Sequence, residues 1–256
     1  MGKEKITLSI ALAVYNEEKN LDACLSSVRP LADEIVVVDG GSTDGTVAIA
    51  KKYAAKIIKT TNPPIFHLNK QKALDACTYD WILQLDADET VSSALKQEIL
   101  HVISTKNPEM NGYYIPRRNY FWGHFMKKGG QYPDYVIRLF KNGKGKFPCK
   151  SVHEQIALTG RVGYLKHPLL HYSYRTRADY WKKADSYTSL TALDLAKSQV
   201  PKSIRSTLNY VVWKPLWTFF NIFIRHKGFM DGITGFEFAL YSGLHFASSY
   251  KKYLKL

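Results

Sequence analysis

The order of apolar and polar positions in the first 105 residues predicts strands that alternate with helices. Short, nearly continuous apolar runs are typical of buried strands, and such runs occupy residues 6–14, 34–39, 56–59 and 81–85. Segments with helical spacing of apolar residues follow them, beginning at Asn16, Thr46, Leu68 and Ser92. This alternation predicts an α/β fold with a mostly parallel, Rossmann-like central sheet that is covered by helices on both faces.

The pattern changes after residue 112. Short alternating runs at residues 113–115, 136–140 and 155–158 are separated by glycine and proline, which predicts a mixed-sheet extension with loops. Residues 178–198 have the pattern of a helix with exposed charges. From Ser203 onward the chain is predicted to be helical, aromatic-rich and basic.

Polar residues follow three of the predicted strands at the point where each strand ends. In open parallel sheets, ligands bind outside the carboxyl ends of the strands. The three polar groups are Tyr15-Asn16-Glu17, Asp39-Gly40-Gly41 and Asp86-Ala87-Asp88. Their convergence on one edge of the sheet predicts a nucleotide-type site.

The composition restricts the partners without choosing one. A net charge of +14 and a pI near 9.5 favour anionic partners, but the chain has no basic arm and no zinc-finger or RRM-type motif, so no nucleic acid is expected.

Three widely spaced cysteines form no metal-ligand pattern and indicate a reducing, cytoplasmic compartment. We expect no signal peptide, and no apolar run reaches the roughly 18 residues of a membrane-spanning helix.

Four motifs in the first 155 residues together resemble glycosyltransferase family 2, the inverting nucleotide-sugar enzymes with a GT-A fold. They are Ala13-Val14-Tyr15-Asn16-Glu17-Glu18, Val38-Asp39-Gly40-Gly41-Ser42-Thr43-Asp44-Gly45-Thr46, Leu85-Asp86-Ala87-Asp88-Glu89 and Val152-His153-Glu154. Two more features resemble the subgroup of lipopolysaccharide-core β-1,4-glucosyltransferase-like enzymes. These are Gly129-Gly130 followed by Arg138-Leu139-Phe140, and the tail Gly228-Phe229-Met230-Asp231-Gly232 with Gly235-Phe236.

The resemblance implies transfer of one sugar, with inversion, from a nucleoside-diphosphate sugar of the UDP-hexose kind. The acceptor would be a glycan or a lipid-linked glycan in bacterial cell-surface polysaccharide or lipopolysaccharide synthesis. Residues 1–175 would form the GT-A catalytic domain, with a nucleotide-sugar half at about 1–105 and an acceptor half at about 106–175. The Gln-x-x-Arg-Trp motif of processive members is absent, which favours single transfer over polymer synthesis.

The acidic turn is the predicted metal site. A leaving nucleoside diphosphate accumulates negative charge, and a divalent cation, Mg²⁺ or Mn²⁺, neutralises it. The resemblance implies that Asp88 binds this cation directly and that Asp86 contacts the ribose, or the cation through water. An acidic turn that only caps the following helix is the alternative.

The resemblance also assigns nucleotide contacts. Asp39 would accept a hydrogen bond from the uracil imide, although an Asx-turn that shapes its loop explains the residue as well. Gly40 would permit close backbone approach.

Lys70 or Lys72 could meet the diphosphate, and a solvated helix face is the alternative for at least one of them. The remaining predicted lining residues are Ala13, Tyr15, Glu17 and Ala87.

Glu154 is the predicted general base, because the acceptor hydroxyl must lose its proton as it attacks the anomeric carbon. Family members carry an acidic pair in this region, and His153-Glu154 departs from it, so Asp134 is the rival base. His153 could contact the diphosphate. Arg138 could face the diphosphate or pair with a nearby carboxylate.

Residues 176–256 are predicted to associate with a membrane or to oligomerise. From Pro201 on, the chain has eight Lys and Arg against two Asp and Glu. Aromatic helices with flanking cations are typical of a membrane interface, here the inner face of the cytoplasmic membrane. A helical cap on the core or an oligomer contact explains the pattern equally well.

Two other functional classes remain at this stage. A sugar-phosphate nucleotidylyltransferase shares the sheet and the metal aspartates, but it carries a Gly-rich, Arg-containing loop after the first strand, where this chain has Tyr15-Asn16-Glu17-Glu18. A non-catalytic, membrane- or polysaccharide-associated protein could also keep the fold.

Overall fold

The computed structural model describes residues 6–105, 109–150 and 154–256. The chain forms two compact units. The first unit comprises Met1–Arg117 and Tyr135–His171, and the second comprises Arg118–Asp134 and Tyr172–Leu256. The functional boundary predicted near residue 175 stays a prediction, because compactness does not report on activity.

The first unit contains the predicted alternation of strands and helices. Its order is β1 (Leu8–Val14), α1 (Leu21–Val28), β2 (Glu34–Asp39), α2 (Thr46–Lys52), β3 (Lys56–Lys59), α3 (His67–Asp75), β4 (Trp81–Leu85), β5 (Glu89–Val91) and α4 (Ser93–Ser104). The later strands are β6 (Met110–Phe121), β7 (His124–Phe125), β8 (Asp134–Lys141), β9 (Gly145–Lys146), β10 (Ala157–Leu158), β11 (Arg161–Tyr164) and β12 (Leu169–Tyr174). β7 and parts of β6, β8 and β12 belong to the second unit.

A ten-stranded sheet runs in the order β3-β2-β1-β4-β8-β6-β12-β5, and its other two strands, β7 and β11, pair with β6. The first four strands are parallel, and β8 pairs antiparallel with β4. β1 lies between β2 and β4, so the chain order reverses beside β1. The carboxyl edge at such a switch point is where open α/β sheets bind ligands.

Apolar side chains cover both faces of the parallel strands. Ile10, Leu12 and Leu83 pack with the buried faces of α1 and α4, whereas Ala11, Val36 and Ile82 pack with Ala73 and Leu74 of α3. Strands buried on both faces explain the continuous apolar runs in the sequence. The predicted α/β architecture is confirmed.

The predicted start of the first helix at Asn16 is wrong. Asn16 has a φ of 54°, in the left-handed region that Asn tolerates better than most residues, and the helix begins at Leu21. The helix buries one apolar face, because Leu21, Cys24, Leu25 and Val28 are fully buried. The residues before the helix instead bond to the loop after β2.

The second unit contains the predicted helical, aromatic-rich region. α5 (Arg177–Lys197) begins with a capping box between Thr176 and Asp179. A helical run over residues 204–225 follows, with α6 (Ile204–Leu208), α7 (Lys214–Phe220) and π-helical turns at Asn209–Trp213 and Asn221–Arg225. A 3₁₀ turn (Gly228–Asp231) leads into α8 (Gly232–Tyr253). Within the described ranges, no helix is long and apolar enough to span a bilayer.

Candidate functional site

The carboxyl ends of β2, β1 and β4 lie side by side, as the sequence predicts. Val14 pairs with Asp39, and Leu12 pairs with Leu85, so the polar residues after each strand emerge at one edge. Tyr15 is 45% exposed there, whereas Ala13 is half-buried and Ala87 is buried. This edge brings the three predicted polar groups together.

The acidic segment after β4 is a tight turn that Glu89 closes in two ways. The Glu89 N–H donates to the Asp86 carbonyl oxygen at 3.0 Å. In return, Glu89 Oε2 accepts the Asp86 N–H at 2.9 Å. Glu89 is fully buried, so the turn that presents Asp86 and Asp88 is held from inside the protein.

Asp86, whose side chain is 26% exposed, joins a network of ionic side chains that are otherwise mostly buried. Its Oδ2 accepts Arg138 Nη2 at 2.6 Å, and its Oδ1 contacts Lys70 Nζ. Burial raises the pKa of Asp86, but the charges of Arg138 and Lys70 outweigh it and hold that pKa well below its usual value. Both carboxylate oxygens of Asp86 are therefore engaged by cationic side chains.

Arg138 lies under the turn and joins its acidic residues. Besides Asp86, it donates to Glu89 Oε1 at 2.8 Å and to Gln84 Oε1. Arg117 Nη1 approaches the same Glu89 oxygen at 3.6 Å. Arg138 therefore pairs with nearby carboxylates, which is one of its two predicted roles. Its other predicted role, contact with the diphosphate, stays a prediction.

Asp88 points to a different partner. Its Oδ1 lies 3.6 Å from His171 Nε2, and each of the two side chains is 15% exposed. β5 pairs antiparallel with β12, and this pairing sets His171 opposite Glu89, next to Asp88. A carboxylate and an imidazole thus face each other at the end of the acidic turn.

The loops after β1 and β2 are bonded to each other. Asn16 N–H donates to Ser42 Oγ at 2.9 Å, and Glu17 N–H donates to Thr46 Oγ1 at 2.8 Å. Gly45 N–H donates to Glu18 Oε2 at 2.8 Å. Glu17 also accepts a bond from Asn20 at 2.7 Å. These bonds fix the loops that the resemblance assigns to the nucleoside.

Asp39 and Gly40 occupy the floor of these loops. Asp39 is buried and accepts the N–H of Ser42, three residues on, at 3.1 Å. The side chain therefore shapes its loop, as one of its two predicted roles requires, although the bond is one residue longer than that of an Asx-turn. A side chain at Gly40 would lie 3.3 Å from Asn62 Cβ and 3.4 Å from the Val14 carbonyl oxygen. The contact of Asp39 with a base stays a prediction.

The two predicted bases lie in different units. Glu154 is half-buried in the first unit, and its Oε1 accepts the Lys150 N–H at 2.7 Å. Asp134 belongs to the second unit and accepts Asn119 Nδ2 at 3.2 Å. His153 lies outside the described residues. The choice between Glu154 and Asp134 stays open.

The glycine pair and the tail motif meet inside the second unit. Asp231 is buried and accepts the N–H groups of Lys127 and Lys128 at 2.9 and 2.7 Å. Gly129 N–H donates to the His226 carbonyl oxygen. A side chain at Gly235 would lie 1.9 Å from the Gly228 carbonyl oxygen, so only glycine fits there. The segments around the glycine pair and the tail motif are therefore bonded to each other, and we call this arrangement the Asp231 clasp.

Sequence reasoning missed His171 and gave Glu89 no role. No local motif marks His171, because only the pairing of β12 with β5 places it beside the acidic turn. Glu89 ends the motif that begins at Leu85, but its charged partner, Arg138, lies on β8, 49 residues later in the chain. Lys70 was predicted for the diphosphate and is found on Asp86, whereas Lys72 is exposed and donates to Thr60.

Comparisons with known proteins bear on the family and the fold of this chain. The model of Glycosyl transferase family 2 matches residues 9–162. The chain is 31% identical, over 97% of its length and 94% of the relative, to the lipopolysaccharide core biosynthesis glycosyltransferase LpsC of Rhizobium meliloti (strain 1021). It is 28% identical, over 90% of its length and 83% of the relative, to an uncharacterized glycosyltransferase of Rickettsia conorii.

A solved structure of similar fold is the mannosyltransferase PcManGT from Pyrobaculum calidifontis in complex with GDP-Man and Mn²⁺. It matches 98% of this chain and 88% of its own, with a TM-score of 0.56 and 14% identity. The likeness supports the GT-A architecture. With the family match over residues 9–162, these findings show that the chain belongs to glycosyl transferase family 2.

Proposed function

We propose that this glycosyltransferase moves one hexose, with inversion, from a nucleoside-diphosphate sugar to an acceptor glycan. The observation that carries the proposal is the edge where β2, β1 and β4 end beside the Asp88–His171 pair, whose nearest atoms are 3.6 Å apart. The loops after β1 and β2 would hold the nucleoside, with Tyr15, Glu17 and Asp39 as predicted. UDP is the nucleotide expected from the resemblance.

The side chains at the acidic turn suit a divalent cation that is also bound by the phosphates of the substrate. Mg²⁺ sites of this kind take one or two carboxylates and fill their other positions with water and phosphate oxygens. Asp88 would supply a carboxylate, which suits Mg²⁺ and Mn²⁺ alike, and His171 would supply an imidazole nitrogen, which suits the transition metal better. In the part of the chain that the structure describes, no cluster of three His, Cys, Asp or Glu side chains suits a metal ion. The bound cation would neutralise the leaving diphosphate.

The ionic network would position the turn rather than bind the cation. Asp86 is already engaged by Lys70 and Arg138, so we assign direct binding to Asp88. The buried Glu89 fixes the backbone between the two aspartates. Glu154 would take the proton of the acceptor hydroxyl, and Asp134 is the rival for this role.

We also propose the class of glycan that accepts the sugar. The LpsC relative is named for lipopolysaccharide core biosynthesis, and we propose a glycan of this class, presented on a lipid at the cytoplasmic face of the inner membrane. Single transfer is expected, because the motif of processive members is absent from the sequence.

A donor screen tests the reaction. The full chain is incubated with a panel of UDP- and GDP-sugars, with Mn²⁺, Mg²⁺ or EDTA, and slow donor hydrolysis and nucleotide binding are measured. We expect one donor to be preferred and EDTA to abolish turnover. Release of pyrophosphate from a nucleoside triphosphate would instead indicate a nucleotidylyltransferase.

The base is tested by two matched changes once an acceptor is found. Removing a general base lowers kcat by about 10²–10⁴, so Glu154→Gln should do this while nucleotide binding is retained. Asp134→Asn is the matched variant. The reverse result would assign the base to Asp134, and a fully active pair would refute both assignments.

A further inference from the structure

The helical run over residues 204–225 leaves its largest apolar side chains in solvent. Trp217 is 72% exposed, Trp213 is 66% exposed and Ile204 is 82% exposed. Leu208, Phe220 and Ile224 are each at least half exposed. We call these six residues the apolar face. Large contiguous apolar patches are rare on monomeric proteins and mark an interaction surface.

α8 extends this surface within the same unit. Phe236 is 44% exposed, and its ring centroid lies 5.5 Å from that of Phe219 and 5.7 Å from that of Phe223. Ile233, one helical turn earlier, is 76% exposed. α7 and α8 pack closely because Gly243 has no side chain; a Cβ there would lie 2.6 Å from the Pro215 carbonyl oxygen. The apolar face is therefore part of a two-helix surface.

The segment that carries the apolar face has charges of one sign. Residues 201–230 contain no aspartate or glutamate, and Arg205, Arg225 and Lys227 are exposed. The two later acidic residues are already engaged: Asp231 accepts backbone N–H groups, and Glu237 accepts Arg177 in two bonds of 2.7 Å. The surface thus combines exposed tryptophan with uncompensated positive charge.

This combination selects one partner. Two copies joined through the apolar face would bring their arginines and lysines together, which repels them. A bilayer surface that contains anionic lipid satisfies both properties, because tryptophan prefers the headgroup region and cations are attracted to anionic headgroups. We propose that the apolar face inserts into the interface of an anionic phospholipid bilayer. This inference is independent of the reaction proposed above.

Vesicle flotation of the full chain tests the inference without donor or acceptor. The vesicles are phosphatidylcholine alone, or phosphatidylcholine with about one-third phosphatidylglycerol. We expect the protein to float with the anionic vesicles at about 0.1 M salt and to be released, at least in part, near 1 M salt. Tryptophan fluorescence should shift to shorter wavelength on binding, since Trp213 and Trp217 leave water.

Matched variants separate the membrane from the alternatives. Trp213→Ser with Trp217→Ser, and separately Arg205→Glu with Arg225→Glu, should each lower the partition coefficient about tenfold or more. Tyr164→Ser, a 63% exposed aromatic of the first unit, should leave it unchanged. Circular dichroism confirms that each variant is folded.

Several outcomes would overturn the inference. They are the absence of flotation with anionic vesicles, equal flotation of the tryptophan variant, and a dimer in sedimentation that the tryptophan variant abolishes while vesicles have no effect. The last result would assign the face to a second copy of the chain.

Discussion

The two units differ in the groups that they bury and in the groups that they expose. The first unit buries charge: Glu89 and Arg138 are buried under its acidic turn and bond to each other, and Arg138 also bonds to the partly exposed Asp86. The second unit exposes apolar surface: among the described residues, 22 of the exposed large apolar side chains lie there and six lie in the first unit. Buried charge fixes groups at defined distances, whereas exposed apolar surface needs a partner. From this comparison we expect the first unit to carry the proposed chemistry and the second to make the proposed contact.

The largest effect is expected at the acidic turn of the first unit. Asp88→Asn removes the proposed carboxylate ligand, so transfer should fall about a thousandfold, which corresponds to about 4 kcal/mol of transition-state stabilisation. The measurements are kcat/KM with Mn²⁺ and calorimetric binding of Mn²⁺ with nucleotide. Asp194→Asn, an exposed carboxylate of the second unit, is the control. Wild-type kinetics of Asp88→Asn would refute the assignment.

The buried network itself can be broken at Glu89. Glu89→Gln leaves Arg138 short of one charged partner in the interior, which should lower the free energy of unfolding by about 3 kcal/mol. Urea denaturation measures the loss. Glu237→Gln breaks the more exposed ion pair with Arg177 in the second unit and should cost much less. Equal losses would contradict the contrast between the units.

The second unit should be sensitive to volume instead of charge. Gly235→Ala places a methyl group 1.9 Å from the Gly228 carbonyl oxygen, and we expect a loss of about 2 kcal/mol from overpacking. Thermal unfolding measures it, with Ser248→Ala on the same helix as the control. A variant with unchanged Tm would show that the Asp231 clasp adapts without cost.

The smallest effect concerns the pH dependence of the first unit. Glu98 accepts the N–H groups of Lys166 and His167 at 2.9 Å each and pairs with His167 Nδ1. Burial raises the pKa of Glu98, but these bonds outweigh it and lower that pKa. The stabilisation is therefore present above the ordinary carboxyl pKa and is lost as the pH falls through the lowered value.

Glu98→Gln should remove about 1 kcal/mol of this stability at neutral pH. The difference in unfolding free energy between wild type and variant should shrink in acid. A difference that does not change with pH would mean that the carboxylate charge contributes nothing.

Local patterns were enough to predict much of the first unit. β2, β3 and β4 have the predicted limits. β2 and β4 are buried on both faces and therefore need a continuous apolar run, whereas β3 is a partly buried edge strand with two central isoleucines. The acidic turn was found in the same way, as a polar segment after such a run. The start of α1 was missed, because the left-handed backbone of Asn16 is stabilised by bonds to a distant loop.

Long-range pairing explains what the sequence did not reveal. His171 is placed by the antiparallel register of β12 on β5, and Arg138 is placed by β8 beside β4. Neither register can be read from local spacing. The Asp231 clasp was seen only as a resemblance, since the backbone partners of Asp231, Lys127 and Lys128, are far away in the chain.

The pairing of β12 with β5 also sets the order in which the site is completed. Synthesis proceeds from the amino terminus, so Asp88 leaves the ribosome before His171. Until β12 joins the sheet, the carboxylate and the imidazole are not neighbours. A chain that stopped at residue 162, where the family match ends, would keep Asp88 and lack His171. If Asp88 and His171 hold the cation as proposed, the nascent protein would form the proposed nucleotide site before the cation site is complete, and the late strand β12 would decide when the enzyme becomes active.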